Sequence, residues 1–377
     1  MTGEVAKIRQ HLHRFPELSG YETATTAYLY ALLQSSSPDQ LVKGFGDKGL
    51  WAVYESGNPG PCLLFRADID ALPIDETTDL LWKSQYSGVS HKCGHDGHAA
   101  ILAGFAGRAG AHRPARGKLV LLFQPAEETG EGAPAMLEQL QQYGIIPDFA
   151  FAMHNLPGFP HGSVVVREGT FAAASRGMIF KLKGRVSHAS EPEKGQSPAA
   201  VMAHLMSHLP RLTTGNAREK FEDFVLLTII HANLGMPSFG TSPGDALLMA
   251  TLRSYKNEDM ELMCHLAEKL AQKAVAAAGL TLEISYTEEF PAMINHHEPV
   301  AMVRNAAVSC VLEPINAILP FRWSEDFAHF GLAGKAVLFG IGAGEKQLPL
   351  HHPDYDFPDS ISETALKVWE KLYEALI

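Results

Sequence analysis

Eight consecutive residues, His91-Lys92-Cys93-Gly94-His95-Asp96-Gly97-His98, bring together a thiol, three imidazoles and a carboxylate. Each of these groups costs free energy to bury unless it is paired or coordinates something. A divalent metal is the partner that suits them together. The blander alternative is a buried cysteine beside a few surface histidines. Cys93 and His95 stand two apart, so on a loop or extended backbone their side chains point the same way, whereas on a helix they would diverge. Gly94 between them lets the chain turn tightly. The apolar run 99–105 reads as the start of a buried helix, which puts the loop at a helix N-terminus, where thiolates and carboxylates are favoured.

Other segments must bring further donors to this loop, and three apolar runs read as strands that do so. Residues 62–65 lead into Arg66-Ala67-Asp68-Ile69-Asp70, residues 118–123 into Gln124-Pro125-Ala126-Glu127-Glu128, and residues 148–153 into His154-Asn155. Strands that each deliver a potential ligand at the carboxyl end look like one site built along one edge of an α/β sheet. Asp68 and Asp70 can each ligate, orient a ligand or pair with Arg66; for Asp68 the orienting role is the reading taken. Adjacent glutamates at a strand end diverge, so one can bind a metal while its neighbour faces the open position as a proton carrier. An isolated Glu-Glu pair would read as an acidic turn; its place in this series argues otherwise. At the N-terminus, Val5, Ile8, Leu12 and Phe15 recur at helical spacing up to Pro16. The segment 12–22 that contains this helix end reads as a turn and nothing more.

From about residue 171 the texture changes. Strands are expected over 178–183, 224–231 and 245–255, with helices over 197–206 and from 257 to about Gly279. This order suggests a small antiparallel sheet with helices on one face, an inserted domain of ferredoxin-like type. The expected division is a discontinuous catalytic domain, 1–172 with 284–377, and an insertion over 173–283. The catalytic part is expected to be α/β, with a mixed, mainly parallel sheet flanked by helices.

Composition narrows the partners. The chain has 377 residues, 46% hydrophobic and 19% charged, and a formal net charge of -11. No basic run stands out, which argues against nucleic acid or an anionic membrane surface. The four cysteines are too scattered for a disulfide framework. No apolar run reaches membrane-spanning length, and a cytoplasmic protein is the default expectation.

Taken together, His13-Arg14-Phe15-Pro16-Glu17-Leu18, residues 66–73, Cys93-Gly94-His95-Asp96-Gly97-His98, residues 124–128, Met153-His154-Asn155, Ser324-Glu325-Asp326-Phe327 and Leu350-His351 resemble the M20 family of metallopeptidases and amidohydrolases. The subgroup is that of aminoacylases, hippurate hydrolases and N-acetyl-diaminopimelate deacetylases. The resemblance implies two divalent ions per chain (zinc, manganese, cobalt or nickel), held by Cys93, His95, Glu128, His154 and His351, with Glu127 as general base. His351 is preferred to His352 because it directly follows the position matching Leu350. Arg66 stands where other branches have a ligating histidine and is not expected to bind metal, and His98 and His352 are taken as structural. The resemblance further implies that the insertion acts as a lid, often forming a homodimer, with His188 near the substrate and His231 near the oxyanion. Two departures stand out: extra residues over 233–238, and Gly240 where relatives have asparagine. The implied activity is metal-dependent hydrolysis of N-acyl amino acids or related small amides. A dipeptidase or aminopeptidase of the same fold is the nearest rival, and a non-catalytic metal-dependent binding protein the more distant one.

Overall fold

The computed structural model describes residues 2–376. The chain divides into two compact units. One comprises the residues up to Phe171, Met293–Pro320 and the residues from Asp326 onward; the other comprises Ala172–Ala292 and Phe321–Glu325.

The first unit is built on an eight-stranded sheet in the order Gln40–Lys43, Leu50–Glu55, Lys118–Gln124, Cys62–Asp68, Phe149–Pro157, Lys335–Gly344, Val164–Val166 and Ile315–Asn316. Its four central strands, from Lys118–Gln124 to Lys335–Gly344, run parallel. Antiparallel pairs join Gln40–Lys43 and Leu50–Glu55 to one side and Val164–Val166 to the other. The central strands are apolar without alternation because both of their faces are buried. Leu63, Phe65, Phe151, Met153, Val337 and Phe339 share a core with the helices Thr2–Arg14, His95–Ala111, His297–Ser309 and Ser362–Leu376. The intervening Leu64, Ala150, Ala152 and Leu338 are buried as well. Helices Gly132–Gln142 and Ala328–Ala333 pack against the strands Lys118–Gln124 and Lys335–Gly344 and against each other.

The second unit is a four-stranded antiparallel sheet in the order Val225–Leu234, Asp245–Ser254, Ala174–Lys183, Thr281–Phe290. Its core takes in the helices Ala199–His208 and Asn257–Ala278. Along Asp245–Ser254 burial alternates residue by residue, as a sheet covered on one face requires. The connection is βαββαβ, a ferredoxin-like arrangement. Its fourth strand, Thr281–Phe290, pairs with Ala174–Lys183. The boundary expected at 283/284 therefore falls inside a strand, and the unit runs on to Ala292. An edge strand that alternates only partly gives little local sign of which sheet it joins.

Candidate metal and catalytic site

Three of the four parallel strands of the first unit end in Asp68, Gln124 and Pro157. The strand expected to stop at Met153 continues through His154 and Asn155, which pair with Gly340 and Ile341 of the neighbouring strand. The helix after the cysteine loop begins at His95, earlier than its apolar run suggested, so His95 is its first residue. Gly94 has φ 99°, and a Cβ there would lie 2.5 Å from the Asn155 side chain, so the turn between the two donors admits only glycine.

Ligand-type atoms converge at this edge in overlapping groups: Cys93 with His95 and His154, Cys93 with Glu128 and His351, and His95 with Glu127 and Glu128. Within each group the atoms lie no more than 4.8 Å apart. His95 Nδ1 faces the carbonyl oxygen of Asp70 at 3.0 Å and its Oδ1 at 3.1 Å, which directs Nε2 into the cluster. That Nε2 is 3.8 Å from Glu128 Oε1 and 3.9 Å from Glu127 Oε2. His154 Nδ1 donates to the Asn155 carbonyl at 2.8 Å, and its Nε2 lies 3.6 Å from Cys93 Sγ. His351, in the left-handed region at φ 66°, donates its backbone N–H to the Lys92 carbonyl and brings Nε2 to 3.5 Å from Glu128 Oε1.

The residues fit a metal centre on an observation independent of any likeness. His95 Nε2 and Glu128 Oε1 are buried and have no hydrogen-bond partner among the described residues, a state that costs free energy unless something else takes the lone pairs. Electrostatics point the same way. The proximity of Cys93 and Glu128 pushes His351 up to about 10, a measure of how negative the cluster is. Burial drives His154 well below its ordinary value, so its imidazole is neutral and able to donate a lone pair.

Asp70 is the organising group that sequence reasoning did not single out. Its Oδ1 takes His95 Nδ1, and its Oδ2 accepts both the Glu128 N–H at 2.9 Å and the Ser19 hydroxyl at 2.7 Å. The signal was present, because Asp70 shares a strand end with Asp68, but the Asp-x-Asp spacing does not say which member faces the ring. Asp68 lies 3.8 Å from His95 Nε2 and binds His98 Nδ1 at 2.6 Å and Arg66 Nη1 at 2.7 Å. Burial would raise its pKa, yet the charges of His95, His98 and Arg66 hold it well below the usual carboxylate range. Both nitrogens of His98 are engaged, by Asp68 and Asn155. Arg66 is buried, with its other donors on Gln124 Oε1 and Asp326 Oδ1. Asp326 in turn donates its backbone N–H to Glu127 Oε1 at 3.3 Å.

A second, charged layer stands behind the loop. His13 bridges Asp96 at 2.8 Å and Glu76 at 3.1 Å, Lys92 Nζ joins Glu76 and the Tyr355 carbonyl, and Arg9 binds Asp356 and Asp359. His91 is buried here, with neither ring nitrogen bonded among the described residues, and burial lowers its pKa to about 4. His188 and His231 belong to the other unit, and both are exposed. His188 Nδ1 meets the Ser190 hydroxyl at 2.6 Å. His231 lies inside the strand Val225–Leu234 rather than at its end. The Gly240 carbonyl accepts the Ala189 N–H at 3.0 Å.

A two-unit α/β hydrolase with a thiolate, imidazole and carboxylate cluster at the sheet edge is the class these features define. Residues 64–375 match peptidase family M20/M25/M40, and the chain belongs to that family. It is 31% identical over 372 residues to the N-acetyl-L-cysteine deacetylase of Bacillus subtilis, covering 98% of this chain and 86% of that protein. Among solved structures it resembles the Bacillus subtilis YXEP protein, a dinuclear metal-binding peptidase of the M20 family, with a TM-score of 0.82 at 25% identity over 100% of this chain and 98% of that one. A Staphylococcus aureus tripeptidase shares the fold, with a TM-score of 0.73 at 16% identity, over 100% of this chain and 98% of that one.

Proposed function

We propose that this M20 hydrolase is a dinuclear metal amidohydrolase that cleaves N-acyl amino acids to a carboxylate and a free amino acid. The observation that carries the reading is the convergence of Cys93, His95, Glu128, His154 and His351 donor atoms, with Glu127 beside His95 Nε2. The relative named N-acetyl-L-cysteine deacetylase supports the substrate class. The five donors are proposed to hold two divalent ions, for which zinc, manganese, cobalt and nickel suit the mixed soft and hard set. When bound, such ions acidify water and polarise an amide carbonyl.

Glu127 is assigned as the proton carrier. It is 5% exposed, close to the surface of the cluster, and the Asp326 N–H holds one of its oxygens. It takes the proton of the attacking water and delivers it to the departing amine. His231 is assigned as a donor to the developing oxyanion and His188 as a substrate contact; loss of one oxyanion donor typically costs about 3 to 4 kcal/mol of barrier. The ferredoxin-like unit is proposed as the lid and as the surface of a homodimer.

The test is a substrate panel. Protein stripped of metal and reloaded with zinc, manganese, cobalt or nickel is offered N-acetyl, N-benzoyl and N-succinyl amino acids beside free dipeptides, and released amine is measured. Turnover of acyl amino acids that vanishes with chelator is the expected result. Faster turnover of dipeptides would move the assignment to a peptidase.

A further inference from the structure

The segment 12–22, which reads in the sequence as a turn, borders the candidate site. Ser19 donates to Asp70, and Glu17 accepts the Ala24 and Thr25 N–H groups at the start of the helix Thr23–Gln34. Glu22, at the cap of that helix, is fully buried, and its Oε1 accepts the backbone N–H of Ala126 at 2.7 Å. This bond crosses from the N-terminal helices to the strand end that presents the two glutamates.

Ala126 is an unusual residue. It is not glycine, yet its φ is 52°, the left-handed region that an L side chain enters only when its surroundings enforce it. The elbow is held on both sides: Glu22 takes its N–H, and its carbonyl accepts the Gly132 N–H at 3.1 Å and the Thr129 hydroxyl at 3.4 Å. Released from Glu22, the Ala126 N–H would be a buried donor without a partner and the elbow would relax toward ordinary backbone angles. Glu127 and Glu128, the next two residues, would swing with it.

We propose that Glu22 is a positioning residue for the Glu127–Glu128 pair: it pins the left-handed elbow at Ala126 and so sets the directions in which the two carboxylates diverge. Among the described residues its second oxygen, Oε2, is buried with no hydrogen-bond partner, and Oε1 makes the bond that reaches the glutamate elbow. Burial and the nearby Asp70 charge push Glu22 up to about 7, against the pull of neighbouring backbone N–H groups. The Ala126 N–H needs an acceptor, whether charged or neutral. A glutamine can do the same work.

The proposal rests on the reading of Glu127 as proton carrier, and the experiment separates the two. Glu22→Gln keeps volume and acceptor; Glu22→Met keeps volume and removes the acceptor. Both are prepared as the metal-loaded full chain, with melting curves to check folding, and Ala126 amide exchange is measured beside kcat and KM on the best acyl amino acid of the panel. Expected is faster Ala126 exchange and a kcat lower by roughly tenfold to a hundredfold in the Met variant, as for a reacting group displaced by about 1 Å. KM should be little changed, and Gln should restore both readouts. Unaltered Ala126 exchange and kcat in Glu22→Met would overturn the proposal, as would a Gln variant as impaired as Met. Should Met fail to fold, Glu22→Ala reads the same quantities. A Glu127→Ala control with full turnover would instead sink the proton-carrier assignment, while Ala126 exchange still decides the role of Glu22.

Discussion

His13 is wedged between two buried carboxylates, and its charge state can be read from geometry. A neutral imidazole has one N–H and can donate to only one of them. Nδ1 lies 2.8 Å from Asp96 and Nε2 3.1 Å from Glu76, so only the imidazolium satisfies both. Burial alone would lower the pKa of His13, but the hydrogen bonds and charges of Asp96 and Glu76 carry it from 6.5 up to about 9. The same pairing holds both carboxyls well below their usual range. A rise from 6.5 to about 9 is worth on the order of 3 kcal/mol of folding stability. Because the folded pKa is the higher one, that stability is fully present below about 6.5 and is lost as pH rises through about 9. The perturbation is His13→Gln, which keeps polarity but cannot carry charge. Urea unfolding of both proteins is followed by tryptophan fluorescence, to which the buried Trp51 and Trp369 of this unit contribute. The penalty of the substitution should be greater at pH 6 than at pH 9.5, by on the order of 2 to 3 kcal/mol. A penalty that stays the same across this range would refute a charged His13.

Two further substitutions test the layers around the cluster. Asp70→Ala removes the acceptor shared by His95, Glu128 and Ser19; by competition with a chromophoric chelator, metal affinity should fall about 10- to 100-fold, and an unchanged affinity would remove Asp70 from the site's support. Arg66→Met removes the guanidinium paired with the buried Asp68 and Asp326; urea unfolding should show a loss of about 3 to 5 kcal/mol, and a loss near zero would mean that the two carboxyls take up protons at little cost.

Much of the candidate donor cluster was legible because its members sit where local pattern puts them. Cys93 and His95 flank a glycine at the start of a helix, Asp68 closes an apolar strand, Glu128 follows one, and His154 stands near the end of a third. The βαββα order of the second unit was also readable, since its strands and helices differ in period. What could not be read is pairing between distant segments. Arg9 meets Asp359, His13 meets Glu76, and Glu22 meets Ala126, and no local spacing announces any of these contacts. The choice between Asp68 and Asp70 as partner of His95 depends on the angle at which a helix N-terminus meets a strand end. The boundary expected at 283/284 cuts the fourth strand of the second unit, because the partner that holds this strand, Ala174–Lys183, lies about a hundred residues earlier. Left-handed backbone at Ala126 and His351 has no sequence signature, since neither is glycine or asparagine.

The central claim, that Glu127 moves the proton while the other five donors hold metal, is tested most directly by Glu127→Gln. Metal content by elemental analysis and turnover of an N-acetyl amino acid are measured on the same preparation. The account predicts two ions per chain, as in the parent, and hydrolysis reduced by about 10²- to 10⁴-fold, the usual contribution of a general base. Two bound ions with undiminished turnover would contradict it.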